Sequence, residues 1–197
     1  MGTRSAKRFI ALVFLIVSAL VFAGEKSYKV GDIGPGGGIV FYKNAAGFSV
    51  DDGKGKSVVC HYLEVSKEDL GCVTWGPVSF AMGDSETKYG IGEGKAATYE
   101  ILNSSGKTKL TADNSAAYVC AKYKTSTTNA GDWFLPTSDE IRVLFKNLPP
   151  EKMDIKNTEF YWSSSVEKNN RAWARKNKTS TVDSIDHKFM VRAVHAF

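Results

Sequence analysis

Residues 132–150 read Asp-Trp-Phe-Leu-Pro-Thr-Ser-Asp-Glu-Ile-Arg-Val-Leu-Phe-Lys-Asn-Leu-Pro-Pro, and this stretch decides how the chain is organised. Thr137 and Glu140 stand at the T-x-x-E spacing of a capping box, in which each side chain satisfies an N–H left open at a helix start. Ile141, Leu144 and Phe145 follow as an apolar stripe at helical spacing. Pro136 precedes the run, and Pro149-Pro150 ends it because proline can neither donate a backbone hydrogen bond nor fit the turn before it. The spacing predicts a helix over 137–148.

Upstream, Gly94–Leu102 and Asp113–Tyr123 read as two further helices, the second with Ala116, Ala117, Val119 and Cys120 near helical spacing. Before them, the turn-rich run Val30–Gly38 leads into Ile39-Val40-Phe41-Tyr42, whose β-branched and aromatic residues favour a strand. Residues 44–56 carry Gly47, Gly53 and Gly55 among polar residues and read as a hairpin loop. Ser57–Val65 reads as the second strand, and Val73–Gly76 as a short strand or ordered loop. Downstream, Glu159–Ser165, Arg171–Arg175 and Lys188–Phe197 read as strands. Strands, then helices, then strands indicate an α+β domain with small antiparallel sheets and two to three helices.

The N-terminus has a different composition. Arg4, Lys7 and Arg8 are followed by Phe9–Ala23, an apolar run broken only by Ser18. Val21-Phe22-Ala23 places small residues where signal peptidase requires them, so residues 1–23 read as a cleaved signal peptide and 24–197 as one exported domain. The apolar run is shorter than the roughly 20 residues of a spanning helix. The expectation is therefore no stable membrane insertion after cleavage. Destinations consistent with export are the periplasm, the outer-membrane surface and the extracellular space.

The whole chain has 26 basic and 21 acidic residues among 197. Without the three N-terminal cations the balance is 23 to 21, a net charge of +2. That near neutrality gives no case for a nucleic-acid partner. A hydrophobic content of 43% excludes wholesale disorder. Cys60, Cys72 and Cys120 form an odd set for a compartment where disulfides persist. A Cys60–Cys72 bridge would close a modest loop, with two free thiols as the alternative. Cys120, in an apolar helical run, reads as a buried thiol.

Most constellations that could carry chemistry fail in detail. Tyr89–Lys95 invites a phosphate-loop reading, but Ala96 stands where Ser or Thr is required. The serines 163–165 lack a nucleophile elbow, and His61, His187 and His195 lack a recognisable partner spacing. Asp51-Asp52 and Asp183/Asp186 lack the spacing of a calcium loop. No cofactor and no metal is expected.

Residues 167–178 stand apart: Lys168, Arg171, Arg175, Lys176 and Lys178 face one acid, Glu167. On a strand, Arg171, Trp173 and Arg175 share a face. An indole flanked by guanidinium groups, with Asn169, Asn170 and Lys176 nearby, could hold an anionic or sugar-like ligand by stacking and bidentate hydrogen bonds. The alternative places Trp173 in the core and leaves the charges as a solvated hairpin. Alternation alone does not say which face is inward.

In order along the chain come Gly31-Asp32, Gly36–Tyr42, Tyr62-Leu63-Glu64, Trp75-Gly76, Ile91–Lys95, Asp132–Pro136 with Asp139-Glu140, Tyr161–Ser165, Ala172-Trp173, Val191–Val194 and Phe197. This ordered set resembles the Lcl C-terminal domain family of bacterial extracytoplasmic proteins. The resemblance implies a C-type-lectin-like fold, distantly shared with formylglycine-generating enzymes, and a role in adhesion that includes binding sulfated polysaccharides. It also implies that Trp133, Leu135, Trp162 and the serines 163–165 are framework. The Glu-Pro-Asn, Gln-Pro-Asp and Trp-Asn-Asp signatures of calcium-dependent lectins are absent. The active cysteines of formylglycine-generating enzymes have no counterpart, and His195 stands where the family often has arginine.

The sequence therefore leads to the expectation of a non-catalytic adhesion module for a glycan, an acidic polysaccharide, or a host or envelope protein. Its expected ligand residues are Asn169, Asn170, Arg171, Trp173, Arg175 and Lys176. A structural or assembly protein of the envelope is the second reading, and an enzyme related to the formylglycine-generating group the third.

Overall fold

The computed structural model describes residues 26–77, 88–104, 109–155, 158–168 and 170–197. The expected signal peptide, 1–23, lies outside the described residues. The chain is of the α+β class, with β1 (Ile39–Asp51), β2 (Ser57–Val65), β3 (Cys72–Thr74), α1 (Gly94–Ser104), α2 (Ala116–Lys122), α3 (Ser138–Asn147), β4 (Tyr161–Glu167), β5 (Arg171–Lys176), β6 (Thr179–Ser184), β7 (Lys188–Met190) and β8 (Val194–Ala196). One sheet has the order β1-β2-β8 and the other β3-β7-β4-β5-β6.

Helix α3 forms where its local signals place it. Thr137 caps it, its hydroxyl accepting from Glu140 N–H while the Glu140 carboxylate accepts from Thr137 N–H. Just before it, Trp133-Phe134-Leu135 runs extended between two apolar clusters. Trp133 and Leu135 enter one, with Trp75, Ile101, Cys120, Trp162, Ala172 and Ala174. Phe134 enters the other, with Phe41, Leu63, Ile141, Leu144, Phe145 and Tyr161. Phe134 also exchanges two backbone hydrogen bonds of 2.9 Å with Val194, tying this segment to β8. The same alternation recurs in β4, where Tyr161 and Trp162 enter opposite clusters. Trp162 is fully buried, its indole N–H donating to Val73 O at 3.0 Å.

The expected loop over 44–56 is corrected to a turn over 52–56, because β1 continues to Asp51. Gly47, at φ 80°, marks a register irregularity between Lys43 and Phe48 within the β1–β2 pair. Turn chemistry is confined to the tip, where Asp51 and Asp52 carboxylates accept the N–H groups of Gly53, Lys54 and Lys56. Strand β6, on polar Thr179–Ser184, was not among the expected elements.

Cys60 and Cys120 are buried and Cys72 is exposed; all three are free thiols. The candidate Cys60–Cys72 bridge is not formed: β2 and β3 belong to different sheets. Among the described residues, no helix is long and apolar enough to cross a membrane.

Candidate functional site

Strand β5 lies between β4 and the edge strand β6. Ala172 and Ala174 point into the tryptophan-rich cluster. Arg171, Trp173 and Arg175 therefore share the other face, and Trp173 belongs to neither apolar cluster. Across the strands, Tyr161 stands opposite Arg175, and Ser184, Val182 and Ser180 stand opposite Arg171, Trp173 and Arg175.

Both arginines are already partly engaged. Arg171 Nη2 donates to Val182 O at 2.6 Å, and Arg175 Nη1 donates to Ser180 Oγ at 2.7 Å. Each fork keeps further donors, since a guanidinium carries five N–H groups. Trp173 Nε1 and Arg175 Nε are buried without a hydrogen-bond partner. Burial, with Arg142 nearby as a like charge, holds the Arg175 guanidinium below its usual pKa. Arg142 is itself paired with Asp139 at 2.9 Å.

Of the six expected residues, the structure thus brings Arg171, Trp173 and Arg175 together. Asn170 is exposed in the β4–β5 turn at φ 55°, its carbonyl accepting from Ile185 N–H at 3.1 Å. Lys176 ends β5 with its ammonium 4.8 Å from the centre of the Phe160 ring. Asn169 lies outside the described residues. Sequence reasoning missed Ser180, Val182 and Ser184, because it missed the strand that carries them.

The hydroxyls of Ser163 and Ser165 are occupied by framework contacts, whereas Ser164 is held by its backbone N–H and its Oγ is buried without a partner. Ser163 Oγ donates to Trp173 O at 2.8 Å, Ser165 Oγ to Lys88 O at 2.7 Å, and Ser164 N–H to Pro136 O at 2.7 Å. Trp75 Nε1 in turn donates to Ser163 O at 2.7 Å.

Two buried glutamates each close a glycine-rich loop, a role the sequence did not show even though Glu140 was read there as the capping-box partner of Thr137. Glu64, fully buried, accepts from Gly36 N–H at 2.8 Å and Gly38 N–H at 2.7 Å, and its Oε1 lies 2.8 Å from His195 Nδ1. Glu140 accepts from Gly92 N–H at 2.9 Å and Thr137 N–H at 2.8 Å. Its carboxyl is pushed up to about 7 by burial, against the backbone N–H groups that favour its charged form. The amides of Gly92 and Gly94 are thus spent on the internal Glu140 carboxylate and that of Gly90 on Glu93, where a phosphate loop would present them outward.

Burial pushes the Cys120 thiol well above its usual pKa, keeping it in its unreactive protonated form. Among the described residues, no group of three or more His, Cys, Asp or Glu side chains is placed to hold a metal ion. Comparison with protein-family models finds no match, and comparison with curated proteins finds none either.

Proposed function

We propose that this protein is an exported, non-catalytic binding module of C-type-lectin-like architecture that holds an anionic glycan, such as an acidic polysaccharide, on the Arg171–Trp173–Arg175 face. The carrying observation is that Trp173 and both guanidinium groups lie opposite the core-facing alanines, with Trp173 Nε1 and Arg175 Nε buried beneath that face and lacking partners. An indole with cationic donors on either side suits a sugar ring bearing carboxylate or sulfate. The resemblance to the Lcl C-terminal domain family supports the same ligand class and the lectin-like architecture. The sequence of residues 1–23 supports export. The sealed Cys120 thiol and the occupied serines 163 and 165 favour binding over catalysis.

Residues 24–197 applied to a glycan array rich in sulfated and uronic-acid polysaccharides test this reading. Salt-sensitive binding to acidic glycans is expected, weakened by Arg175→Gln. Silence across the array, or binding indifferent to that substitution, contradicts it.

A structural role in the envelope is the second reading, favoured by the β1–β2 hairpin. Pairing with β8 and the following Phe197 covers β2 from His61 to Val65, and Val58 and Val59 are 47% and 70% exposed beyond it. Self-association that Val59→Lys abolishes would support this reading.

A further inference from the structure

Helices α1 and α2 and the loop before Trp133 enclose an open chamber of 440 Å³, well away in sequence from β5. Its apolar walls come from Leu102, Leu110, Ala121 and Ala130, with Tyr118 on one side. Among the described residues the single charged one lining it is the exposed Lys122, whose ammonium sits 5.4 Å from the centre of the Tyr118 ring. No described acid lines it, and among the described residues Lys122 has no ion-pair partner.

We propose that this chamber binds a small amphiphilic acid, its alkyl or aryl body against Leu102, Leu110, Ala121 and Ala130 and its carboxylate or sulfonate at Lys122. The volume falls within the range of small-molecule sites, and such sites are mostly apolar with few orienting polar groups. The apolar walls supply affinity. Lys122 supplies the sign, because a lone ammonium on an otherwise uncharged lining favours an anion over a cation or a neutral head group. A glycan is a poorer occupant here, since its many hydroxyls would meet aliphatic carbon with few side-chain partners. A second chamber of 320 Å³ shares Leu102, Ala121, Ala130 and Gly131 with the first, but Asp52, Lys54, Lys95 and Asp132 line it as well, so the apolar site ends where the two meet.

The probe is anilinonaphthalene sulfonate, an aromatic acid whose fluorescence rises on leaving water, titrated into residues 24–197. Saturable binding at one site is expected. Dodecanoate, kept below its micelle concentration, displaces the dye, and dodecyltrimethylammonium does so at least about tenfold less effectively. Ala130 is exposed, so Ala130→Trp fills the chamber without entering the core and is expected to abolish binding. Lys122→Glu weakens binding on the order of tenfold, as reversal of one partly screened charge would, while Lys122→Arg retains it. A thermal unfolding curve for each variant shows that the fold is kept. Absence of saturable binding overturns the proposal. So does unchanged binding in Ala130→Trp, or equal displacement by the acid and the cation. The dye is itself an aromatic sulfonate that the β5 face could attract, so Arg175→Gln is titrated beside Ala130→Trp: dye binding lost in Arg175→Gln and kept in Ala130→Trp would place the dye at β5 and overturn the proposal.

Discussion

Arg171 lays its guanidinium across a neighbouring strand and donates from Nη2 to the main-chain oxygen of Val182 at 2.6 Å. Val182 lies on β6, the edge of the five-stranded sheet. Ile185 N–H bonds Asn170 O, and antiparallel hydrogen bonding alternates, so Ser180, Val182 and Ser184 turn their N–H and C=O groups outward. Ser184 spends both locally, its N–H on Asp183 Oδ1 and its C=O on His187 N–H, which leaves Ser180 and Val182 as the open stretch. An open edge of this kind templates strand addition, and proteins blunt it with charge. Arg171 blunts it here by occupying the Val182 carbonyl.

Removing that cap should expose the edge. Arg171→Ala is expected to self-associate with rising concentration in sedimentation velocity experiments, while the unsubstituted protein does not. Equal behaviour of the two would show that Arg171 leaves the edge unprotected.

Glu140 should make stability fall as pH rises. Its carboxyl titrates near 7 in the folded protein against an ordinary value of 4.5. Between those values the native state keeps a proton that the unfolded chain releases, so folding is favoured most below about pH 4.5 and loses this contribution as pH climbs through 7. At about 1.4 kcal/mol per unit, the loss is on the order of 3 kcal/mol. Urea unfolding across this range should show the decline, and Glu140→Gln should flatten it. An identical slope in the variant would assign the decline to other groups.

Gly36 is fixed by its neighbours. A Cβ built on it would lie 2.5 Å from Glu64 Oε1 and 2.8 Å from His195 Nδ1. Glu64 is fully buried and cannot swing into solvent. Gly36→Ala is therefore expected to cost roughly 1–3 kcal/mol in chemical denaturation, the range for overpacking a closed site. A change below about 0.5 kcal/mol would mean that the clamp yields.

Thiol titration separates the cysteines. One rapidly reacting thiol, Cys72, is expected in the native protein and three after unfolding. A count of one in denaturant would restore the Cys60–Cys72 bridge. Fast native modification of Cys120 would revive the enzyme reading.

Helix α3 was legible because its signals are local: a cap, a partner three residues on, and a stripe. β2 was legible over its whole length for a similar reason. Strand β6 was not, because Thr179–Ser184 is polar and holds its conformation by pairing with β5. Gly47 misled the reading of β1, since a glycine at an irregularity within a strand looks like a glycine in a loop.

At the candidate site, period two showed that Arg171, Trp173 and Arg175 share a face, but not which face is inward. Size alone would send Trp173 to the core. The cluster on that side already holds Trp75, Trp133 and Trp162, and it receives Ala172 and Ala174 from β5. That information lies 39 or more residues from Ala172 in two of the three cases, out of reach of any local pattern. The two glutamate clamps were hidden likewise, since Gly36 and Glu64 stand 28 positions apart and Gly92 and Glu140 stand 48 apart.

The most direct test of the binding face is the affinity of residues 24–197 for dextran sulfate at low and at raised salt, compared with Trp173→Phe and Arg175→Gln. The account predicts binding that weakens with salt, and a loss of about tenfold for Arg175→Gln, equivalent to one charge-assisted contact. A smaller loss is expected for Trp173→Phe, which keeps an aromatic face without the free N–H. Equal affinity for all three proteins at both salt concentrations would contradict the account and move the ligand off the β5 face.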